Sequence, residues 1–219
     1  SPSPLEERKQ VKIRRFILNL AKTGSVGKEI EWLATRYLEP VVSNCSITRN
    51  QAMSEPEKCL LSRNELMHDS AEYTKNNINS DTDILQEYFI PRGQFVSFMD
   101  GVRSILEKNH TNVLAAGIRI INKEDTMLNY APEDMFALVL YLNQKITSEE
   151  NVKMEKVTKE LIDFTTEMGG TFYLPYQLYY SRAQLQKAYP NINEFFVLKK
   201  QVDPDELFVN KFYLKYRTN

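Results

Sequence analysis

Short apolar runs divide the central part of the chain and predict its strands. They are ILQEYFI (84–90), VLAAGIRII (113–121) and DMFALVLYL (134–142). Runs of this length, bounded by turn-forming residues such as Pro91-Arg92-Gly93, are typical of β-strands. The third run is apolar at almost every position, which predicts a central strand. A fourth short strand, TFYLPY (171–176), is predicted after a Gly-Gly pair.

Two helical patterns alternate with these strands. The first repeats apolar residues at helical spacing from Phe95 to Leu106. The second begins at Thr147 and Glu150, a capping-box pattern, and carries one apolar stripe as far as Met168. The order β-α-β-β-α-β predicts an α+β, ferredoxin-like fold with an antiparallel sheet and both helices on one face. The other face must then be covered or line a site.

The segments on either side of this core are predicted to be largely helical. Residues 1–83 combine helical patterns, broken near Gly24, with a polar stretch from Glu39 to Asp83 that keeps no period. We predict that this stretch is a linker or lid. The central domain is placed at 84–180. A tail of short helical segments, 181–219, follows it.

The composition indicates a globular protein and argues against two other classes, nucleic-acid-binding and membrane-spanning proteins. The chain has 219 residues, of which 42% are hydrophobic, so it can bury a core. Its 28 basic and 29 acidic residues nearly cancel, which argues against a nucleic-acid binder. No run approaches the ~18 apolar residues of a membrane span, and the start lacks the apolar region of a signal peptide. We therefore expect a cytoplasmic protein and, since the chain lacks an initiator Met, part of a longer one.

The sequence contains none of the self-sufficient catalytic motifs GxSxG, HExxH, GxGxxG or the P-loop. Cys45 and Cys59 have no second pair of ligands near them. His68 and His110 do not sit at metal-ligand spacing. No metal site is therefore expected.

Alternation along the second strand points to a candidate site. One face is predicted to pack on the helices and carries Leu114, Ala116, Ile118 and Ile120. Ala115, Gly117 and Arg119 share the other face, where small residues beside a cation leave room for a polar or anionic ligand. The same pattern fits an arginine paired with a structural carboxylate, such as Glu87 of the first strand. The pattern alone does not decide between the two.

A dense group of aromatic residues surrounds the end of the fourth strand: Phe172, Tyr173, Tyr176, Tyr179 and Tyr180. A tyrosine offers an apolar ring and a polar tip, which suits the wall of a pocket, but the same residues also suit a packed core or an interdomain seam. Tyr176 and Gln177 follow Pro175 at the end of the strand, where functional groups are often presented.

Several ordered motifs resemble the C-terminal half of FAD-linked oxidoreductases of the vanillyl-alcohol-oxidase type. They are ILQEYFIPRGQFVSFM, GIRII, GGTFYLPY and AYPNINEFFVLKKQVDPDELFVNKF. The pattern DPxxxFxN, from Asp203 to Asn210, is the most specific part. The similarity is greatest to aldonolactone and alditol oxidases and to decaprenylphosphoryl-ribose oxidases. It extends from Ile84 to Tyr216 and is weak over 1–83.

The resemblance implies that the central domain is a substrate-binding cap over a flavin ring. FAD would be held mainly by an N-terminal domain absent from this chain, to which the tail would return, so the isolated chain should be colourless. The reaction would oxidise a C–OH group of a sugar lactone, polyol or related alcohol by hydride transfer to the flavin. The implied partners are that alcohol and the FAD domain, without nucleic acid. Peripheral membrane association is an alternative location that the resemblance adds.

The resemblance also assigns roles to individual residues. Arg119 matches the basic residue of the cap strand, and the candidate catalytic residues are Arg119, Glu87 and Tyr176. The candidate substrate-binding residues are Tyr141, Gln177 and Tyr179. Asn210 of the tail is the candidate contact to the cofactor.

Two departures from the family pattern keep other functions open. Gly117 stands where the related enzymes carry the Glu of a Glu-x-Arg motif, and the active-site Lys that they place near Tyr176 or Tyr179 is missing. The chain therefore also fits a catalytically degenerate binding or interaction module. A stand-alone ferredoxin-like regulatory domain is a third hypothesis.

Overall fold

The computed structural model describes residues 9–38 and 74–217. The chain divides into two compact units, Ser1–Thr82 and Asp83–Asn219. The predicted linker or lid lies outside the described residues except for its last part, 74–83.

The first unit contains α1 (Lys9–Ala21) and α2 (Ser25–Leu33), and α2 continues into a π-helical turn, Ala34–Leu38. The break between α1 and α2 falls at Gly24, where φ is 153°, a value that favours glycine. Gly27 lies inside α2, and a Cβ at that position would lie 2.0 Å from the Leu20 carbonyl oxygen. Glycine therefore allows the backbones of the two helices to approach closely.

The second unit carries the predicted strand and helix order. Its elements are β1 (Asp81–Pro91), α3 (Phe95–Lys108), β2 (Asn112–Ile121), β3 (Met135–Lys145), α4 (Ser148–Glu167) and β4 (Thr171–Phe172). Three short helices follow: α5 (Arg182–Ala188), α6 (Ile192–Val202) and α7 (Lys211–Tyr216). The antiparallel sheet has the order β2-β3-β1-β4. The α+β, ferredoxin-like prediction is confirmed.

Register fixes which residues share a face. Along the β2–β3 pair, Gly117 lies opposite Val139 and Arg119 opposite Ala137, and an irregularity between Val113 and Ala115 shifts the pairing. The last strand, β4, ends at Phe172 and is therefore shorter than the predicted TFYLPY. Pro175, which lacks a backbone N–H group, follows soon after and cannot extend the ladder.

Helices α3 and α4 cover one face of the sheet. The buried residues on this face come from alternate positions of β1 and β3 and from both helices: Ile84, Tyr88, Ile90, Leu138, Leu140, Leu142, Phe98, Val102, Val157 and Leu161. Phe98 of α3 stacks on Phe164 of α4 with ring centroids 5.7 Å apart. A Cβ on Gly101 would lie 2.1 Å from the Phe164 ring, so the two helices pack closely at that glycine.

The prediction that Ile118 and Ile120 pack on the helices is wrong, since these side chains are 59% and 72% exposed. The strand β2 is at the edge of the sheet, and the helical layer covers the central strands β1 and β3 instead. Of the predicted set, only Leu114 is buried. Alternation assigned these side chains to a face correctly, but it does not say how far the helices extend over that face.

The predicted helix start at Thr147 is present, and the first helix of the tail has a capped start at Ser181. The Thr147 hydroxyl accepts a hydrogen bond from the Glu150 backbone N–H at 3.2 Å. Ser181 and Gln184 form a reciprocal capping box at the start of α5. These caps satisfy backbone N–H groups that would otherwise lack partners.

Candidate functional site

The face of the sheet opposite α3 and α4, which we call the second face, carries Glu87 and Phe89 of β1 and Gly117 and Arg119 of β2. Gly117 has no atom within 4 Å of the position that a Cβ would occupy. Ala115, two residues earlier on the same face, is also exposed. The surface next to Arg119 is therefore shallow and open.

Glu87 and Arg119 form an ion pair on this face. The Arg119 Nη1 atom lies 3.3 Å from the Glu87 Oε1 atom, and the two side chains are 60% and 5% exposed, respectively. Burial raises the pKa of the Glu87 carboxyl, and the positive charge of Arg119 partly opposes that rise. A carboxyl with a raised pKa accepts a proton closer to neutral pH, as a general base requires. Arg119 keeps further N–H donors besides the one that it gives to Glu87.

Tyr176 lies within electrostatic range of this pair. Burial raises the pKa of its phenol, the negative charge of Glu87 adds to the rise, and the positive charge of Arg119 opposes it. The rings of Tyr173 and Tyr176 meet edge to face at 4.9 Å, and the Tyr173 backbone N–H donates to the Glu87 carbonyl oxygen at 2.9 Å. The three candidate catalytic residues are thus brought together, with Tyr176 as a protonated hydrogen-bond donor at neutral pH.

Gln177 contributes a buried acceptor near Glu87. It lines a small cavity of about 20 Å³ together with Glu87, Tyr173 and Tyr176, and the helical-face residues Gln86 and Thr158 line the same cavity. Its Oε1 atom is buried and has no hydrogen-bond partner among the described residues. A cavity of this size holds about one water molecule. A ligand hydroxyl or a water molecule that donates to Gln177 would satisfy the atom.

The other two candidate substrate residues lie apart from this group. The Tyr141 hydroxyl donates to Asp83 Oδ2 at 2.9 Å. It stands four residues along β3 from Ala137, the partner of Arg119, which is ~13 Å along a strand. Tyr179 packs against the main core, and burial and the nearby charge of Glu155 on α4 raise its pKa. The sequence did not separate Tyr176 from Tyr179, because the chain turns between them.

Asn210 has a local role in the structure. It is the N-cap of α7, and its side-chain oxygen accepts a hydrogen bond from the Tyr213 backbone N–H at 2.8 Å. The capping bond therefore already uses one of its two polar groups. A contact from Asn210 to a cofactor stays a prediction.

A second, larger cavity was not found by sequence reasoning. It measures about 510 Å³, and Tyr173 and Tyr176 line it as they line the small cavity. Phe89 continues the aromatic surface, with ring centroids 4.9 Å from Tyr130 and 6.5 Å from Tyr173. The lining residues come from segments far apart in the chain, so no local spacing could reveal them. Phe172 and Tyr180 of the predicted aromatic group belong instead to the buried core.

Two further properties concern the described residues alone. They contain no group of three or more His, Cys, Asp or Glu side chains placed to hold a metal ion. None of their helices is both long enough and apolar enough to cross a membrane.

Comparisons with known proteins place the chain in a family. A family model described as D-arabinono-1,4-lactone oxidase matches residues 29–216, most of the chain. No curated protein matches. Among solved structures, a C-terminal segment of the alpha subunit of aIF2 from Pyrococcus abyssi shares 11% identity over 77% of this chain and 94% of that one. Its TM-score of 0.27 is too low to support a structural argument.

Proposed function

Because the chain belongs to the D-arabinono-1,4-lactone oxidase family, we propose that residues 84–180 form the substrate-binding cap of an FAD-dependent oxidoreductase. Residues 181–219 would be the tail that returns to an N-terminal FAD domain, and 1–83 would supply helices and a linker or lid. The ion pair between buried Glu87 and exposed Arg119 carries this proposal. It combines a proton acceptor and a cation on a face that the helices leave uncovered.

The second face fits a planar ring system. The space beside Gly117 is open, Ala115 is exposed, and the Arg119 guanidinium borders this surface. FAD would be held mainly by the N-terminal domain, with Arg119 and Asn210 as the contacts from this chain. When bound, FAD supplies the hydride acceptor that no side chain provides.

The residues of the chain would handle the proton and the charge. The Glu87 carboxylate would accept the proton of the substrate C–OH group while the carbon gives up its hydride, leaving a carbonyl. Arg119 would stabilise the negative charge that develops on the substrate oxygen. The Tyr176 hydroxyl would orient that oxygen, and Gln177 would accept a hydrogen bond from a neighbouring hydroxyl.

The substrate would be a sugar lactone, a polyol or a related alcohol, and the family name favours a lactone. Gly117 supplies no carboxylate, which makes the site less polar than one built to bind a polyol. Tyr141 and Tyr179 would contact only a ligand that extends beyond the Glu87–Arg119 pair, since neither lies beside it.

A catalytically degenerate binding module is the second candidate function. The specific observation in its favour is Gly117, which stands where the related enzymes carry the Glu of a Glu-x-Arg motif, together with the missing active-site Lys. In that case, Glu87 and Arg119 would bind a ligand without turning it over.

The test uses the natural full-length protein that contains this chain, purified with its flavin. Anaerobic mixing with D-arabinono-1,4-lactone should bleach the oxidised-flavin absorbance band. Glu87→Gln should slow bleaching by about 100-fold, the scale of losing a general base. A lactone that perturbs the flavin spectrum without bleaching it would establish the degenerate module instead. If neither the lactone nor an alditol bleached the flavin band or perturbed the flavin spectrum, both candidate functions would be wrong.

A further inference from the structure

The larger cavity has the size of a small-molecule site. Its volume of about 510 Å³ lies within the 300–1,000 Å³ typical of ligand pockets. Its walls come from the connection before β3, the turn after β4 and the C-terminal helices: Leu128, Tyr130, Tyr173, Leu174, Pro175, Tyr176, Leu178, Tyr189, Phe195, Asn210, Lys211 and Phe212. Most of these residues are aromatic or aliphatic.

The aromatic walls are held in place by contacts behind them. The Tyr189 hydroxyl donates to the Phe172 carbonyl oxygen, and its buried ring forms part of the floor of the cavity. The ring of Phe196 lies 5.7 Å from Phe195 and 5.8 Å from Phe212. Rings fixed by tilted and edge-to-face contacts lose little conformational freedom when a flat ligand packs on them.

Lys211 is the single charged residue among the described lining residues, and no carboxylate partner is present for it in that part of the chain. Three other cations of the C-terminal region have carboxylate partners, whereas Arg182 and Lys215 donate to backbone carbonyl oxygens. Lys199 pairs with Asp203, and both Lys200 and Arg217 pair with Glu206. A cation without a carboxylate at the edge of an apolar cavity is complementary to an amphipathic anion.

The cavity shares two wall residues with the small cavity next to Glu87. Tyr173 and Tyr176 line both cavities, and the small one includes Glu87 and Gln177. A ligand bound in the larger cavity therefore contacts the same two tyrosines that border the Glu87–Arg119 pair.

We propose that this cavity binds an organic monocarboxylate with an aromatic or alicyclic body. The ring system packs on Tyr130, Tyr189 and Phe195, and the carboxylate meets the Lys211 ammonium. Binding of this anion in the cavity does not depend on the proposed function.

The experiment is a calorimetric titration of the 219-residue chain with 2-naphthoate. The neutral isostere 2-naphthylmethanol reports the contribution of the carboxylate. We expect saturable binding of 2-naphthoate with one site per chain. Its affinity should exceed that of 2-naphthylmethanol about tenfold, the scale of a partly exposed, charge-assisted hydrogen bond.

Matched variants locate the site. Lys211→Met should reduce 2-naphthoate affinity to that of 2-naphthylmethanol, because it removes the ammonium and keeps the unbranched apolar stem. Lys187→Met removes the same charge from the last turn of α5, outside the cavity lining, and should leave both affinities unchanged. Leu128→Trp should fill the cavity and abolish binding of both compounds, with a cooperative thermal transition showing that the variant is folded.

Three results would overturn the proposal. One is equal affinity for the acid and the alcohol, and another is an equal loss in Lys187→Met and Lys211→Met. The third is competition in which riboflavin displaces 2-naphthoate and binds more tightly than 2-naphthoate does. That result would assign the cavity to the flavin. If the lactone fails to bleach the flavin while 2-naphthoate still binds through Lys211, only the proposed function is wrong.

Discussion

The two faces of one sheet differ in what they contain, although the same strands build both. On the helical face, Tyr88, Ile90, Leu138 and Leu142 are at most 1% exposed. Glu87 is the neighbour of Tyr88 in the chain but lies on the second face. Its side chain is buried, and it pairs with the largely exposed Arg119. Alternation along a strand thus places the main core on one face and the Glu87–Arg119 pair on the other, where a smaller buried cluster, Phe89, Ala131, Met135 and Ala137, also lies.

Buried polar groups on the helical face belong mostly to networks. Gln86 donates to the Thr158 hydroxyl at 2.7 Å and accepts from the Tyr88 hydroxyl at 2.5 Å. Gln144 donates to Asn151 of α4 at 2.6 Å, although its Oε1 atom has no partner among the described residues. The Gln177 Oε1 atom, next to the small cavity, is also without such a partner, and a water molecule or a ligand would satisfy it.

The largest effect on stability should come from the helical face. Leu161 of α4 is fully buried in the main core. Leu161→Ala should lower the free energy of unfolding by about 3–5 kcal/mol, since it removes buried methyl groups and leaves a cavity. Urea denaturation of both proteins measures the difference. A loss below about 1 kcal/mol would mean that the core adjusts to the change and does not depend on α4 packing.

Two glycines provide a matched test of the faces. Gly101→Ala should lower the free energy of unfolding by about 1–2 kcal/mol, because its methyl group would press on Phe164 and disturb the Phe98–Phe164 stack. Gly117→Ala adds the same group into open space and should change stability by less than about 0.5 kcal/mol. Equal losses in the two variants would show that the second face is packed as tightly as the helical face.

The capping role of Asn210 gives a smaller effect. Asn210→Ala should lower the free energy of unfolding by about 1 kcal/mol, the usual cost of losing an N-cap. Asn210→Ser should recover most of that loss, because serine also caps helices. Thermal denaturation followed by circular dichroism makes the comparison. An unchanged melting temperature in Asn210→Ala would show that the cap does not stabilise the fold. The cofactor contact that the family resemblance implies would then be the remaining role for Asn210.

The smallest effect is a dependence on pH. Burial raises the pKa of Glu87 above its usual value of 4.5, so the folded protein holds this proton to higher pH than the unfolded chain does. Its contribution to stability is present below pH 4.5 and is lost as pH rises through the folded-state pKa. As pH rises from 4.5 through the folded-state pKa, wild type should therefore lose stability relative to Glu87→Gln. A parallel pH profile for the two proteins would show that burial does not disfavour the Glu87 charge.

Sequence reasoning reached the fold because hydrophobic period and chain order determine a β-α-β-β-α-β unit. It offered the Glu87–Arg119 ion pair as the structural alternative to a ligand-binding arginine, and the pair is present; strand alternation alone did not decide between the two roles. It was wrong about Ile118 and Ile120, since burial of an edge strand depends on how far the helices extend. The position of Tyr179 depends on a turn of the chain. The larger cavity depends on contacts between segments that are distant in the sequence, which local patterns do not reveal.

The central claim is that Arg119 acts on the bound substrate and is not merely a structural partner of Glu87. Stopped-flow reduction of the flavin in the full-length protein, with melting temperature measured in parallel, tests it most directly. Arg119→Ala should slow reduction by about 100-fold, as the loss of one electrostatic stabiliser does. Arg119→Lys should recover only part of the rate, because a point charge lacks the planar fork of donors.

The loss of stability in Arg119→Ala should stay near 1 kcal/mol, since Arg119 is mostly exposed and Glu87 can take up a proton when it is removed. The contradicting result is a wild-type rate of flavin reduction together with a sharp fall in melting temperature. That outcome would make Arg119 a structural ion-pair partner.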